Sequence, residues 1–314
     1  MSKLHFNPLL IQAMSDQPSH VIKECPSLSD LPGKLPKQII QNVSQVPRKF
    51  PKNDVVFVCK ICKKRGRYDA GHISINLEGH KQAGGTIKNY IQMTGYFRCK
   101  QCNSAGEWGT TQDFEMRLMG MLISMNMDES VVTYSIHQLF DGFQPRYGTE
   151  AEEHLLQKIL EKPADAFLWN RLGNAYFAGA RPDLAAAAFE HSLVCDLLQM
   201  ESYFSLGMLV EEFDPALAVR FYHKMIAAAP YYTEMKNSAL KELLAAGLNN
   251  LFNIKVSSEQ EVAILPGEDI YEELGIEFPS ADRKADVYEG TIELDNVESF
   301  YPLAKLLMKN GGKK

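Results

Sequence analysis

Two pairs of cysteines constrain this chain more than any other feature of its sequence. Cys59 and Cys62 form the first pair, Cys99 and Cys102 form the second, and 36 residues separate the two. Two residues between cysteines allow a tight turn to aim both sulfurs at one ion, and two such turns complete a tetrahedral thiolate site. The spacing therefore predicts a closed four-sulfur metal site. Six cysteines in 314 residues are too few for a disulfide scaffold.

The segment around these pairs, residues 54–109, is rich in glycine, aromatic and β-branched residues. Alternating runs at 56–58 and 73–77 predict short strands, and strand-like residues precede each pair, at 55–58 and 96–98. The arrangement resembles the zinc-ribbon family. The resemblance implies one structural Zn²⁺ with no open position for water or substrate. Its ligands would be Cys59, Cys62, Cys99 and Cys102.

The segment departs from the zinc-ribbon family in two respects. Its insert between the pairs is longer, and the residue after each second cysteine is not the glycine common in that family. Asn103 stands at one of these places and can adopt a positive φ, whereas Lys63 is a poor substitute at the other. A rubredoxin-like iron site, a redox dithiol pair and unpaired thiols in a core stay open as alternatives. His72 and His80 lie in the insert and could replace a cysteine ligand, although a loop or strand role is their default.

The net charge of −6 hides an asymmetry along the chain. Residues 1–110 hold 16 Lys and Arg against 7 Asp and Glu, whereas residues 111–314 hold 17 against 32. A basic segment can meet nucleic acid or an acidic partner. Seven of its cations crowd around the cysteine pairs: Lys60, Lys63, Lys64, Arg65, Arg67, Arg98 and Lys100. Aromatic residues lie among them, as in surfaces that bind single-stranded nucleic acid, but the rings could instead form a small core beneath solubilising cations.

A repeated spacing begins at residue 166. An aromatic residue, a Leu-Gly pair, a Tyr or Val, an Ala and a second aromatic residue recur in two consecutive stretches, whose first members, Trp169 and Tyr203, are 34 residues apart. The spacing resembles the tetratricopeptide repeat family over about residues 150–230, in two full units and a preceding partial one. The resemblance implies stacked helix pairs in an all-α superhelix. Flanking helices at 113–124 and 235–251 are expected to complete the burial of its apolar faces.

The same resemblance implies a concave groove lined by the first helix of each unit. Mapped onto this sequence, the groove positions are Phe167, Asn170, Asn174, Phe177, Glu201, Phe204, Met208, Glu211 and Glu212. This groove is apolar and acidic, which favours a protein or peptide partner with hydrophobic anchors and Lys or Arg residues. The chain's own N-terminal arm is an alternative occupant, because its first 50 residues are basic and proline-rich.

These patterns predict a multidomain α+β protein of four segments. They are a proline-rich arm at 1–53, a small β-rich zinc-ribbon-like domain at 54–110, an all-α tetratricopeptide-like domain at 111–252 and an acidic α/β segment at 253–314. Seven of the 15 prolines fall in the first 51 residues, which leaves room there only for short helices, at 8–14 and 36–43. In the acidic segment, the pattern predicts a strand over 288–294 and a helix over 300–308.

No apolar run approaches the roughly 20 residues of a membrane-spanning helix, and the first apolar stretch is too short for a secretory signal. The sequence therefore predicts a cytoplasmic protein with no membrane partner. It contains no phosphate-binding loop, dinucleotide fingerprint or nucleophile elbow, so an enzyme has no support from motifs. We expect a non-enzymatic adaptor or scaffold that binds a protein partner in the helical groove. The alternatives are a nucleic-acid-binding regulator, linked to transcription or RNA through its cysteine domain, and an accessory subunit or enzyme without a recognised motif.

Overall fold

A computed structural model describes residues 5–15, 23–123, 131–258, 262–279 and 291–309. The fold is mixed α+β, with many helices and two small sheets. The chain divides into two compact units. The first unit takes residues 1–41 and 48–188, and the second takes 42–47 and 189–314. Both cysteine pairs belong to the first unit.

The strands of the described residues form two three-stranded sheets, both in the first unit. They are β1 (Asp54–Cys59), β2 (Arg65–Asp69), β3 (Ile73–Ile75), β4 (Ile91–Met93), β5 (Trp108–Thr110) and β6 (Val132–Thr133). One sheet has the antiparallel order β2-β1-β5, in which Cys59 lies opposite Trp108. In the other, β3 pairs antiparallel with β4 and parallel with β6. Val55, Phe57 and Cys59 are all buried and lie on one face of β1, because every second residue of a strand points to the same side.

Helices account for most of the remaining regular structure. In chain order they are α1 (Pro8–Met14), α2 (Leu35–Gln41), α3 (Leu77–Ala83), α4 (Gln112–Ile123), α5 (Gly148–Glu161), α6 (Ala166–Ala178), α7 (Pro182–Cys195), α8 (Met200–Val210), α9 (Pro215–Ala228), α10 (Asn237–Ser257), α11 (Glu268–Leu274) and α12 (Tyr301–Lys309). The helices predicted at 8–14, 36–43, 113–124, 235–251 and 300–308 are confirmed, with some ends shifted. Within the described ranges, none of the helices combines the length and the apolar character needed to cross a bilayer.

Aromatic rings fill the core beside the β1 sheet. The ring centroid of Phe57 lies 5.4 Å from that of Phe97 and 5.3 Å from that of Phe114. The centroids of Tyr68 and Trp108 lie 4.8 Å apart. Phe114 belongs to α4, which packs on β1. The small sheet that carries the first cysteine pair is therefore supported by a continuous aromatic cluster.

The residues of the repeated spacing are buried in the structure. Trp169 and Tyr176 on α6, Tyr203 on α8 and Tyr222 on α9 are at most 2% exposed. The indole N–H of Trp169 donates to the carbonyl of Pro163 at 2.8 Å, which satisfies its polar atom inside the core. In the first unit α5 packs against α6, and in the second α8 packs against α9. The spacing therefore corresponds to the packed faces of these helices.

Helix α10 is central to the packing of the second unit. Its Leu244, Leu248 and Leu251 are fully buried. Helices α9 and α12 both pack on it, and the ring centroids of Phe252 and Phe300 lie 5.3 Å apart. The described end of the acidic segment is thus an integral part of the second unit's core.

Two predicted strands do not form in the described residues. The prediction of a strand at 96–98 is wrong, because the backbone N–H of Tyr96 donates to the carbonyl of Gly179 at 3.1 Å instead of to a neighbouring strand. The strand predicted at 288–294 is absent from the part of that range that the structure describes. Residues 280–290 lie outside the described ranges.

A substitution at Gly207 tests how closely α8 and α9 pack. A Cβ added there would lie 2.7 Å from the ring of Tyr222, which is fully buried, so that one of the two helices or the ring must shift. Gly207→Ala is therefore expected to lower the free energy of unfolding by about 1–3 kcal/mol. Denaturant unfolding followed by circular dichroism measures the change.

Gly120→Ala in α4 is the matched control. Nothing lies within 4 Å of a Cβ at Gly120, so this substitution is expected to raise the free energy of unfolding by about 0.5–1 kcal/mol through helix propensity. Equal effects of the two substitutions would contradict the close packing of α8 and α9.

Candidate metal centre

The four paired cysteines come together in the structure. All four Sγ atoms lie within 4.8 Å of one another. The sulfur of Cys59 is 3.8 Å from that of Cys102, and the sulfur of Cys62 is 3.5 Å from that of Cys99. Four sulfurs at a zinc–sulfur distance of about 2.3 Å in a tetrahedron are about 3.8 Å apart. The cluster therefore fits one tetrahedral metal ion, and none of the six cysteines, all in the described ranges, forms a disulfide.

The two cysteine turns share one backbone conformation. The N–H of Lys63 donates to the carbonyl of Cys59 at 2.8 Å, and the N–H of Asn103 donates to the carbonyl of Cys99 at 2.9 Å. Lys63 has φ 61° and Asn103 has φ 55°, so both occupy the left-handed region. Lys63 was expected to be a poor substitute for glycine at this position, and its positive φ agrees with that expectation. The turn forms there with a lysine, at the cost of the strain that a glycine would avoid.

The pKa values of two of the cysteines, Cys99 and Cys102, are shifted in opposite directions. Burial by itself would raise the pKa of Cys99, but the backbone N–H groups of Cys102 and Gln101 donate to its sulfur and lower that pKa to about 7. Desolvation and the neighbouring sulfurs raise the pKa of Cys102 to about 12. Four thiolates this close repel one another unless a cation lies between them. A divalent metal removes this conflict because it binds the deprotonated form of each ligand.

The two histidines between the cysteine pairs contact groups outside the cysteine cluster. The Nε2 atom of His72 lies 2.9 Å from the hydroxyl of Thr133, and the Nε2 atom of His80 lies 3.1 Å from the carbonyl of Gly85. The candidate metal cluster of the described residues consists of the four cysteines alone. The default loop or strand role therefore suits both histidines.

A buried ionic network positions the second cysteine turn. Glu152 on α5 is fully buried and accepts hydrogen bonds from the hydroxyls of Tyr96 at 3.0 Å and Tyr176 at 2.7 Å. Its other oxygen accepts from Arg98 at 3.1 Å. Burial raises the pKa of the Glu152 carboxyl, and the Arg98 charge and the two hydroxyls oppose that shift. Because Tyr96 and Arg98 lead directly into Cys99, the carboxylate ties this turn to α5 and α6.

A second buried ion pair anchors the N-terminal arm. The guanidinium of Arg181 donates to both carboxylate oxygens of Asp183, at 2.9 and 2.7 Å. It also donates to the backbone carbonyl of His5 at 2.9 Å. The side-chain amide of Asn103 donates to the carbonyl of Phe6 at 3.2 Å. Among the contacts of the first unit, the arm is thus bound to the second cysteine turn and to the start of α7.

The seven predicted surface cations separate into two groups. Six are exposed: Lys60, Lys63, Lys64, Arg65, Arg67 and Lys100. Arg98 differs, because its side chain is only 9% exposed and forms an ion pair with Glu152. The aromatic rings among them are mostly core residues, at most 6% exposed: Tyr68, Tyr96, Phe97 and Trp108. These rings pack in the core beside the sheet, as in the alternative in which the cations only keep the domain soluble. They offer no exposed face for stacking on bases.

The groove positions predicted in the first unit are largely occupied by the unit's own contacts. Phe167 is half-buried, and its ring centroid lies 5.1 Å from that of Phe140. Asn170 is fully buried and accepts a hydrogen bond from Asn174 at 3.1 Å. Phe177 is half-buried. The arm contacts described above involve none of these four positions.

The groove positions predicted in the second unit are more accessible. Phe204, Met208 and Glu211 are half-buried, and Glu212 is exposed. Glu201 is the exception, since it is 8% exposed and accepts a hydrogen bond from the hydroxyl of Tyr232 at 2.6 Å. These accessible positions offer both apolar surface and negative charge.

Comparisons with protein-family models, curated proteins and solved structures find no match for this chain. The candidate metal centre therefore rests on its geometry alone. Sequence reasoning missed Glu152, Arg181 and Asp183. Glu152 is one of two consecutive glutamates on a helix, where such residues normally face water, so no local pattern distinguishes it from Glu153.

The geometry of the four cysteines predicts that the protein binds a metal ion in a fixed ratio to the chain. We expect the purified protein to hold about one ion per chain, and Cys59→Ser to lose it, because three thiolates no longer close the tetrahedron. Acidification is expected to release the metal, since protons compete for the thiolates. Elemental analysis of dialysed protein measures the ratio.

Cys25→Ser is the matched control for that experiment, because Cys25 is exposed and lies outside the cluster. It is expected to retain the metal. An unchanged metal content in Cys59→Ser, or none in the unmodified protein, would contradict the assignment.

The Glu152 network predicts a large loss of stability when its carboxylate is removed. Glu152→Ala leaves the Arg98 guanidinium without its carboxylate partner and two buried hydroxyls without their acceptor, and is expected to cost about 3–5 kcal/mol of unfolding free energy. Glu153→Ala on the same helix removes an exposed carboxylate and is expected to change stability by less than about 0.5 kcal/mol. Chemical denaturation of both variants tests the difference, and a Glu152→Ala variant as stable as the control would refute the role of the network.

Proposed function

We propose that this protein is a non-enzymatic cytoplasmic adaptor, in which a zinc-stabilised cysteine domain accompanies tetratricopeptide-like helix pairs that bind a basic segment of a partner protein. The observation that carries the proposal is a cleft of about 640 Å³ within the second unit. Binding clefts in proteins typically measure about 300–1,000 Å³. Two of the predicted groove positions, Glu211 and Glu212, line it.

The lining of this cleft suits a cationic side chain. Glu211 and Glu212 stand at one wall, and Asn250, Asn253 and Ile254 of α10 are also among its lining residues. The hydroxyl of Tyr222, itself outside the lining, donates to Glu211 at 2.6 Å and holds that carboxylate in place. A Lys or Arg can pair with Glu212 while its aliphatic stem packs on Ile254. The Asn amides can bind the backbone of an extended segment.

The cysteine cluster supports a structural metal in this proposal. Four thiolates in a tetrahedral arrangement select Zn²⁺ or an iron–sulfur type of site, and Zn²⁺ is the metal of closed structural sites. Such a site leaves no coordination position for substrate, so its contribution is to stability. Six cysteines without a disulfide fit a reducing compartment, which supports the cytoplasmic location.

A peptide-binding measurement tests the adaptor proposal. The probe is a fluorescent peptide of alternating Lys and Leu, and its anisotropy is measured with the full chain. Glu212→Lys is expected to weaken binding about tenfold or more, because it replaces attraction by repulsion inside the cleft.

Two controls distinguish the cleft from general electrostatics. Glu272→Lys changes the net charge by the same amount at an exposed position outside the cleft, and is expected to bind like the unmodified protein. A peptide with Glu in place of Lys is expected not to bind. Equal weakening by both substitutions, or no binding of the basic peptide, would refute the proposal.

Nucleic-acid binding stays the second candidate, and the exposed cations on and around the first cysteine turn favour it. Lys63, Lys64 and Arg65 are exposed, and Lys63 and Lys64 have no carboxylate partner among the described residues. The candidate predicts that a single-stranded oligonucleotide binds in low salt and that its affinity falls steeply as salt rises. Charge reversal of these three residues should abolish that binding. No binding at low salt would exclude this candidate.

A further inference from the structure

A second cleft lies beside the metal centre, within the first unit. It measures about 350 Å³. Among its lining residues are His5, Lys52, Arg67, Tyr68, Lys100 and Arg181. The ring Nε2 of His5 lies 3.2 Å from the carbonyl of Lys100, so the N-terminal arm closes one side of the cleft. Five lysines and arginines line this cleft against two aspartates, Asp54 and Asp69.

Most of the charges in this cleft are compensated by ion pairs. Lys52 pairs with Asp54 at 2.8 Å, and Arg48 from outside the lining pairs with Asp69. The two cations at the buried end are held by their own carboxylates, since Arg98 binds Glu152 and Arg181 binds Asp183. Only two lining cations have no carboxylate partner among the described residues. They are Arg67 and Lys100.

These two cations keep donors available for a ligand. The ammonium of Lys100 donates to the backbone carbonyl of Arg67 at 2.8 Å and lies 5.2 Å from the ring centroid of Tyr68. One of its three N–H donors is thus occupied, and two remain. The guanidinium of Arg67 forms no hydrogen bond with any side chain or backbone atom of the described residues. Lys100 is therefore oriented at the cleft by a neutral carbonyl, and its ammonium has no carboxylate partner among the described residues.

We propose that this cleft binds the phosphate group of a small phosphorylated molecule. A phosphate monoester carries close to two negative charges at neutral pH, which matches two cations that have no carboxylate partner among the described residues. Arg binds phosphate oxygens through paired N–H donors, and Lys contributes a point charge. A volume of about 350 Å³ is near the lower end for ligand clefts and exceeds what a phosphate ion alone fills. The ligand is thus a phosphate with a small organic group attached.

This proposal is independent of the adaptor function, because the acidic cleft belongs to the second unit. It also differs from a nucleic-acid surface in the residues that it requires. Lys64 is exposed like Arg67 but does not line the cleft. A polynucleotide bound along the basic surface would contact both Lys64 and Arg67. Of these two residues, a ligand inside the cleft would contact Arg67 alone.

Isothermal titration calorimetry of the full, metal-loaded chain with ribose 5-phosphate tests the proposal. Binding is expected for the unmodified protein, and Arg67→Gln and Lys100→Gln are each expected to weaken it about tenfold or more. Lys64→Gln is the matched control with the same loss of charge, and is expected to bind within about twofold of the unmodified protein. Inorganic phosphate is expected to bind more weakly, and ribose not at all.

The metal content of each variant is measured in parallel, because Lys100 follows a cysteine ligand and its substitution could disturb the centre. Arg67→Gln is distant in sequence from the second pair and keeps the test valid if Lys100→Gln loses metal. Absence of ribose 5-phosphate binding would overturn the proposal. Equal weakening by Lys64→Gln and Arg67→Gln, together with tighter binding of a single-stranded oligonucleotide, would assign these cations to a nucleic-acid surface instead.

Discussion

A buried carboxylate is the constraint on which the arrangement of the first unit depends. Glu152 has no contact with water, so its charge must be compensated inside the protein. Its partners come from separate stretches of chain: Tyr96 and Arg98 from the approach to the second cysteine pair, and Tyr176 from α6. Satisfying one carboxylate therefore fixes the position of the cysteine turn relative to two helices. Apolar contacts have no preferred direction and would leave the position of the turn less well defined. Hydrogen bonds fix it, because they require particular distances and angles.

The four-cysteine cluster and the Glu152 network have complementary roles in the same unit. The four cysteines join two turns that are 36 residues apart, and so bring the ends of a long insert together. The Glu152 network then joins the second turn to α5 and α6. Metal ligation at such a cluster and ion pairing are both strong and directional, which would suit a segment whose two sheets have three strands each among the described residues. The aromatic cluster of Phe57, Phe97 and Trp108 fills the remaining volume.

Much of the local structure could be predicted because it follows from short-range patterns. The clustering of the four cysteines could be predicted from their spacing, and the buried faces of α6 and α8 could be predicted from the spacing of Trp169 and Tyr203. The strand expected before Cys99 was not obtained, because the backbone of Tyr96 hydrogen bonds to Gly179, which is 83 residues further along the chain. The exposure of individual cations could not be predicted from local sequence either. Lys64 and Arg98 look alike in sequence, but one is exposed and the other is paired in the core.

The amino-acid sequence alone determined which residues could ligate a metal and which helices would carry apolar faces, since both depend on spacing within a few turns of chain. The tertiary structure decided which charges are compensated. Glu152 and Glu153 are adjacent and chemically identical, and only the fold makes one a buried acceptor and leaves the other in water. By the same means it left Arg67 and Lys100 at a cleft without a carboxylate partner among the described residues, while it paired Arg98 with Glu152, 54 residues further along the chain. A pair such as Arg98 and Glu152 cannot be read from local spacing, because Coulomb and hydrogen-bond interactions depend on distance in space and not along the chain.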